Sequence, residues 1–267
     1  METGHSAIRA SHYLGDNRVL TESRHGVRML LDTRDIILTP IALLYGEWEP
    51  GTTAVLREHL KPGMHFVDVG ASVGWFSCLA SNLVGPDGYV SAFEADPETS
   101  RLLADNLALN WRFRNARVVN AVAYSMAGEV TLYRREKYQG NSSIGSIGKQ
   151  RLDEMGDAET PVVVTAARLD DHLVDRPIDL MKIDVEGAEA FVLEGAQAVI
   201  SRSPNLRMLV EWSPEQMIEA GRCPADLMTL LNGWNKSVIG HDGKLHQTSD
   251  EALLGATSAV MLSLTRA

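Results

Sequence analysis

The run Val67-Asp68-Val69-Gly70-Ala71-Ser72-Val73-Gly74 constrains this chain more than any other segment. It joins an apolar stretch, Met64 to Val69, to a second one, Trp75 to Leu83. The pattern predicts a buried strand, a tight turn and a helix. Glycine lets a backbone turn sharply and approach a ligand closely. The first N–H groups of the following helix have no intrahelical partner, and they suit a carboxylate or a phosphate. The spacing is Gly-x-x-x-Gly followed by Trp75, so the dinucleotide pattern G-x-G-x-x-G fails at two positions. A bulky Trp75 beside the turn leaves less room for a pyrophosphate.

Downstream, apolar runs and helical periods alternate. Strands are expected at Tyr89 to Phe93, Arg117 to Val122, Ile178 to Ile183 and Leu206 to Val210. Helices are expected at Thr99 to Leu109, Ala188 to Ile200, Pro214 to Ala220 and Ala225 to Leu231. Gly128 to Arg134 reads as an additional strand paired with Pro161 to Thr165, and Ser237 to Ile239 and Ala259 to Leu264 as closing strands. Such alternation predicts an α/β fold of the Rossmann-like type, a mostly parallel sheet with helices on both faces. Upstream, Thr52 to Leu60 has a helical face, and Val27 to Leu31 with Ile36 to Leu38 reads as a hairpin. Residues 1 to about 20 show no period and are expected to be partly disordered. The expected organisation is a hairpin or lid extension over residues 1–50 and a Rossmann-like domain over 51–267.

Four motifs carry chemistry. In the first, Asp68, Gly70, Ala71, Ser72 and Gly74 form a turn that the amino-acid end of S-adenosylmethionine would fit, with Asp68 reaching its ammonium group directly or through water. The second is Phe93-Glu94-Ala95-Asp96-Pro97. An acid closing the second strand of such a sheet accepts hydrogen bonds from ribose hydroxyls, which assigns Glu94 and its neighbour Ala95 to the cofactor. Asp96 before Pro97 is expected to cap the next helix. The third is Asn120-Ala121-Val122-Ala123, where Ala121 and Val122 are small enough to line an adenine slot or simply to end a strand. The fourth is Asp179-Leu180-Met181-Lys182-Ile183-Asp184-Val185-Glu186-Gly187-Ala188-Glu189. Acids at the carboxyl end of a buried strand lie where open α/β sheets bind ligands. Asp184 and Glu186 are therefore the candidate catalytic residues, Asp184 also a cofactor contact, and Glu189 either a third acid of the site or a charge that stabilises the helix N-terminus. The Gly-, Ser- and Asn-rich Tyr138 to Ile147 has no period, and such loops are often functional.

Taken in order, VDVGASVG, FEADP, NAVAYS, the GNSS loop, LDD and LMKIDVEGAEAFVLEGA resemble the FkbM family of S-adenosylmethionine-dependent methyltransferases. The likeness runs from about Tyr45 to Trp212 and includes Gly46-Glu47-Trp48-Glu49-Pro50. It implies methyl transfer, usually to a hydroxyl oxygen of a natural product, glycan or similar metabolite. It also implies cofactor roles for Asp68, Gly70, Gly74 and Glu94, and places at the active-site rim for Asp184 and Glu186. Ser72 stands where the family usually has Asn, and Trp75 where Tyr or Phe is common.

The remaining expectations are exclusions and alternatives. A formal net charge of -10 repels phosphate backbones, so no nucleic-acid partner is expected. Arg112, Arg114 and Arg117 read as a solvated helix end. No apolar run approaches the ~18 residues that span a membrane, and no signal peptide is visible. Two cysteines, Cys78 and Cys223, without metal-ligand spacing suggest a reducing cytoplasm. A metal-free mechanism is favoured, although Asp184, Glu186 and Glu211 end neighbouring strands and hard carboxylates suit magnesium. Among the histidines, His241 could face the acceptor but reads more readily as a surface turn, His25 could belong to a lid, and His172 lies at the wrong end of its strand. The expected partner is a small acceptor with a hydroxyl group, and the N-terminal hairpin could pair two copies of the chain. The rival readings are N-methylation, a non-catalytic binder of the cofactor, and a nicotinamide-dependent oxidoreductase.

Overall fold

The computed structural model describes residues 10–112, 114–174 and 176–266. In chain order it has β1 (His12–Gly15), β2 (Arg18–Glu22), β3 (Arg28–Asp32), α1 (Leu38–Tyr45), α2 (Pro50–His59), β4 (His65–Val69), α3 (Trp75–Val84), β5 (Tyr89–Glu94) and α4 (Pro97–Leu109). Then come β6 (Ala116–Asn120), β7 (Val122–Ala123), β8 (Gly128–Arg135), α5 (Gly148–Met155), β9 (Glu159–Ala167), α6 (Leu169–His172), β10 (Leu180–Ile183), α7 (Glu189–Glu194) and α8 (Gln197–Ser201). The chain closes with β11 (Arg207–Trp212), α9 (Pro214–Glu219), α10 (Pro224–Leu230), β12 (Trp234–Ile239), β13 (Leu245–Gln247), α11 (Asp250–Leu254) and β14 (Val260–Arg266).

Eight strands form the central sheet in the order β13-β12-β14-β11-β10-β4-β5-β6. From β11 through β6 all pairs are parallel, and β14 enters antiparallel between β11 and β12. The strand order switches direction between β4 and β10, and a crevice opens at such a point beyond the strand ends. β4 is buried along its whole length because helices cover both faces, and β10 is too. One core lies on each face: Met181, Ile183, Val210 and Trp212 belong to one, Phe66, Phe76, Leu103 and Leu209 to the other. Asp96 caps α4 as expected, accepting from the backbone of Glu98 and Thr99 at 2.9 Å each.

β8 and β9 pair antiparallel, with Leu132 opposite Val162 and Glu129 opposite Thr165, as the sequence suggested. With β7 they make a three-stranded side sheet, so the chain leaves the main sheet at Ala121. The helix expected over Ala188 to Ile200 is two helices. The Asp170 carboxylate accepts from the backbone of Ala198 and Val199, which starts α8 afresh.

The N-terminal hairpin needs correction. The partner of Val27 to Leu31 is Arg18 to Glu22, not Ile36 to Leu38, and β1 extends the sheet to three strands. Ile36 to Leu38 instead leads into α1. The Asp35 carboxylate accepts from Thr39 N at 2.6 Å and from Ile37 N at 3.4 Å, which caps that helix. The disorder expected up to residue 20 does not extend over His12 to Leu20, which are in β1, β2 and the turn between them, and the part of that expectation on residues 1–9 lies outside the described residues.

This small sheet docks through side chains. On α4, Asn106 accepts from Leu30 N (2.6 Å) and donates to Leu30 O (3.0 Å) and Val73 O (2.8 Å). One turn later, Asn110 accepts from Arg28 N (3.0 Å) and donates to Arg28 O (2.7 Å). Two asparagines spaced i,i+4 lie on one helix face. Here they satisfy the edge of β3 as a neighbouring strand would. Met29 and Leu31 are fully buried in the same core as Phe66.

Candidate active site

The crevice lies beyond the carboxyl ends of β4, β5, β10 and β11. Gly70 turns the chain out of β4 with φ 78, and a Cβ there would lie 1.8 Å from Asp184 O. Only glycine allows β4 and β10 to deliver their loops this closely. Gly74 does not line the crevice: it starts α3, and a Cβ would meet Leu103 Cδ1 at 2.4 Å.

Two cavities share the crevice. The first, about 60 Å³, is lined by Gly70, Ser72, Glu94, Ala95, Ala121 and Val122, among others. The second, about 270 Å³, lies against Ala71, Trp75, Phe76, Trp48 and Glu49. Asp184, Glu186, Gln139 and Gly140 border both. The wall between them comes from the Tyr138 to Ile147 loop, whose Gln139–Asn141 turn folds across the strand ends. The segment Asp32 to Glu49 supplies much of the far wall of the second cavity.

Glu94 is tied into the backbone. Its Oε2 accepts from Ser72 N and its Oε1 from Asp96 N, each at 2.8 Å. Burial pushes its carboxyl up to about 7, against the pull of those two N–H groups. Each oxygen keeps a lone pair for a hydroxyl donor. Asp68 lies beneath the turn, 1% exposed. Its Oδ2 accepts from Ser77 Oγ at 2.6 Å, while Oδ1 has no hydrogen-bond partner among the described residues. A buried acceptor left in that state suits an added donor such as an ammonium group.

Acids crowd the other side. Lys182, buried, sends Nζ to within 2.6 Å of Asp184 Oδ2 and 4.9 Å of the Phe76 ring centre. Burial alone would lower its pKa, but Asp184, Glu49 and Asp68 outweigh that and raise it. Glu186 has φ 55, a left-handed backbone that turns its side chain over the crevice. Its Oε2 accepts from Asn141 Nδ2 at 3.1 Å and from Gln216 Nε2, and its backbone oxygen accepts from Ser143 Oγ at 2.7 Å. Burial, then the charges of Asp184 and Glu189, push the Glu186 carboxyl well above the usual range. Glu211 is raised in the same way and, among the described residues, its Oε2 has no hydrogen-bond partner. Glu189 is buried against the backbone N–H groups of Val185 and Gly187, a local clamp on the loop.

One oxygen from each of Asp184, Glu186 and Glu211 lies within 4.8 Å of the others, an all-oxygen set that a hard divalent cation could use. His241 borders a third, open cavity of about 340 Å³ with Glu49, Asp184 and Glu211. His25 instead meets Glu47 at 3.2 Å, and His172 packs edge-on against Phe93 at 5.8 Å.

The crevice thus gathers Gly70, Ser72, Glu94, Ala95, Ala121, Val122, Asp184 and Glu186 around one cavity and sets Ala71 in its neighbour. Asp68 and Gly74 border neither. Glu49, Asn141, Lys182 and Gln216 took no assigned role from sequence. Glu49 sits in the unpatterned GEWEP run, and Gln216 looks like any polar residue of a short helix.

A mostly parallel, doubly covered sheet with its crevice at the β4–β10 switch defines the Rossmann-like α/β class. The chain belongs to the FkbM methyltransferase family: the family's profile, the methyltransferase FkbM domain, matches residues 68–235. Methyltransferase sdnD of Sordaria araneosa is 32% identical over 161 residues, which cover 51% of this chain and 62% of that protein. The chain therefore spans less than two thirds of that relative. Among solved structures, the methyltransferase FkbM of Methylobacillus flagellatus KT is 17% identical with a TM-score of 0.47, covering 76% of this chain and 43% of its own. The fibrillarin of Aeropyrum pernix, solved with S-adenosyl-L-methionine bound, is 16% identical with a TM-score of 0.45, covering 96% of this chain and 97% of its own. Among the described residues, no helix is long and apolar enough to cross a membrane.

Proposed function

We propose that this chain transfers the methyl group of S-adenosylmethionine to a hydroxyl oxygen of a small acceptor held in the second cavity. The observation that carries this reading is Glu186, a carboxylate with raised proton affinity on the wall common to both cavities. The cofactor supplies a methyl group on a sulfonium, whose C–S bonding pair returns to sulfur as S-adenosylhomocysteine leaves. The lining of the first cavity fits that molecule, with Glu94 for ribose hydroxyls and Ala95, Ala121 and Val122 for adenine, while Asp68, which lines neither cavity, would act on the ammonium group through a bridging water. Glu186 takes the hydroxyl proton as the new O–C bond forms, which avoids an oxonium product. A base whose pKa lies near the working pH is the effective one, and burial moves Glu186 in that direction. Asn141 and Gln216 orient its carboxylate, and Lys182 balances the charge of Asp184.

Thermal unfolding with S-adenosylmethionine, S-adenosylhomocysteine and NAD in parallel tests the cofactor. A ligand at ~100 times its Kd stabilises by ~2.7 kcal/mol, enough to move the midpoint by several degrees. Shifts with the two adenosyl compounds and none with NAD are expected; a shift with NAD alone overturns the reading.

The proximity of Asp184, Glu186 and Glu211 favours a second reading, in which a divalent cation polarises the acceptor hydroxyl. Under the base reading, turnover survives a chelator. Turnover abolished by chelator and restored by magnesium would transfer the role to the metal.

A further inference from the structure

We infer that the acceptor carries an anionic group, a carboxylate or a phosphate, and that Arg135 receives it. Arg135 ends β8, at the foot of the Tyr138 to Ile147 loop, and its backbone N–H donates to Ser142 Oγ at 3.1 Å. Its side chain is 4% exposed. The nearest carboxylate, Glu159, lies 3.7 Å from Nη2, beyond hydrogen-bond reach. Among the described residues, Nε and Nη1 donate no hydrogen bond, and Glu159 Oε2 accepts none. A buried guanidinium with two idle donors is costly unless something pairs with it, and planar forked donors are the usual partners of carboxylate and phosphate.

The surroundings give that partner a location. Arg135 borders a cavity of about 300 Å³ together with Tyr138, Asn141, Arg151, Glu186 and Gln216. The same cavity therefore touches the proposed base and the idle guanidinium. On its other side Arg135 borders a larger cavity, about 590 Å³, with Arg18, Arg34 and Arg134. Those three arginines are engaged: Arg18 and Arg34 by Asp32, Arg134 by Asp96 and Glu98. Arg151 is engaged by Glu215 and Glu219. Arg135 is left as the cation with donors to spare among the arginines of the two cavities. The second cavity and this one share Ile37, Asn141 and Glu186, so an acceptor whose hydroxyl meets Glu186 in the second cavity reaches Arg135 by extending its anionic group into the cavity of about 300 Å³. Glu159 competes for the same guanidinium, so the site is one of exchange: the ligand replaces a loose ion pair with direct hydrogen bonds.

The inference rests on the proposed acceptor site for the ligand's identity, but its test reads binding alone. Inorganic phosphate and acetate are titrated separately, at constant ionic strength, into the wild-type chain with and without S-adenosylhomocysteine, followed by calorimetry and thermal unfolding. Saturable binding of either anion is expected, phosphate alone indicating a phosphorylated acceptor and acetate a carboxylated one. Arg135→Gln should weaken that binding by about tenfold or more while keeping the response to S-adenosylhomocysteine, and Arg135→Lys should retain part of it. Glu159→Gln, which leaves Arg135 intact and removes its competitor, should tighten it. Absence of saturable binding of both anions overturns the inference, as does equal affinity in the wild type and Arg135→Gln. Failure of S-adenosylhomocysteine to bind would instead count against the cofactor reading, whatever the anions do.

Discussion

At the scale of single residues, the site is a set of carboxylates given different tasks by their neighbours. Glu94 is pinned by two backbone donors and organises the glycine turn, whereas Glu186 is held by two side-chain amides and faces both cavities. Removing each should therefore fail differently. Glu186→Gln keeps the shape and loses the proton acceptor; turnover should fall ~100-fold or more with S-adenosylhomocysteine affinity unchanged, measured by steady-state kinetics beside calorimetry. Normal turnover moves the base elsewhere. Glu94→Ala frees Ser72 N and Asp96 N as well as the ribose contact, so cofactor affinity should drop by about tenfold or more. An unchanged Kd rules out the ribose role. Asp184, Glu186 and Glu94 were legible in the sequence because each ends an apolar strand, a position that spacing alone defines. Glu49 and Asn141 were not, because they reach the crevice from segments without a period, and Gln216 and Arg135 were not, because a polar residue on a short helix or at a strand end carries no signal of what it faces.

At the scale of elements, the parallel strands were legible for the same reason that they are buried. A strand covered on both faces is a mostly apolar run, as in Met64 to Val69, broken by His65 and Asp68, and Ile178 to Ile183, broken by Asp179 and Lys182. β1 and β2 are short, partly exposed and polar, and leave no such run. Their docking was illegible because it is carried by two asparagines on a helix, not by apolar periodicity. Asn106 is fully buried with three hydrogen bonds to backbone. Asn106→Leu should strand those groups and cost about 3 kcal/mol, since each unsatisfied buried group costs ~1–3 kcal/mol. Urea denaturation measures it, and a loss under ~1 kcal/mol would mean that the sheet edge is not held in this way.

At the scale of the whole molecule, the buried acids set the response to pH. Burial pushes Glu94 and Glu189 up to about 7, and Glu49, Asp68, Glu186 and Glu211 upward as well. In the unfolded chain such groups release their protons near pH ~4. The folded protein holds protons that the unfolded chain has lost, so this stabilisation is complete below about pH 4 and, for Glu94 and Glu189, disappears as pH rises through about 7. His65 opposes it: burial holds the imidazole down to about 4, which costs stability as pH falls from ~6.5 toward 4. Asp32 is raised by burial but lowered more by Arg34 and Arg18, so its contribution is lost in stronger acid. His59, held down by burial and by Arg207, acts as His65 does, but the raised carboxyls outnumber the two imidazoles, and the ligand-free protein should melt higher at pH 5.5 than at pH 8. Thermal scans across that range decide it; a higher midpoint at pH 8 would mean that the acids are solvated.

The asparagine contacts between α4 and β3 bear on where this molecule can be cut. The segment recognisable by kinship starts at Asp68, yet a chain shortened to begin there would lose β4 along with the sheet that Asn106 and Asn110 hold. Even a cut before α2 would uncover the apolar bed of Met29 and Leu31 and remove the wall of the second cavity. The segment that the family profile matches is shorter than the unit these contacts complete, and fragments trimmed to it should be recovered as aggregates while chains starting before β1 stay monodisperse in light scattering.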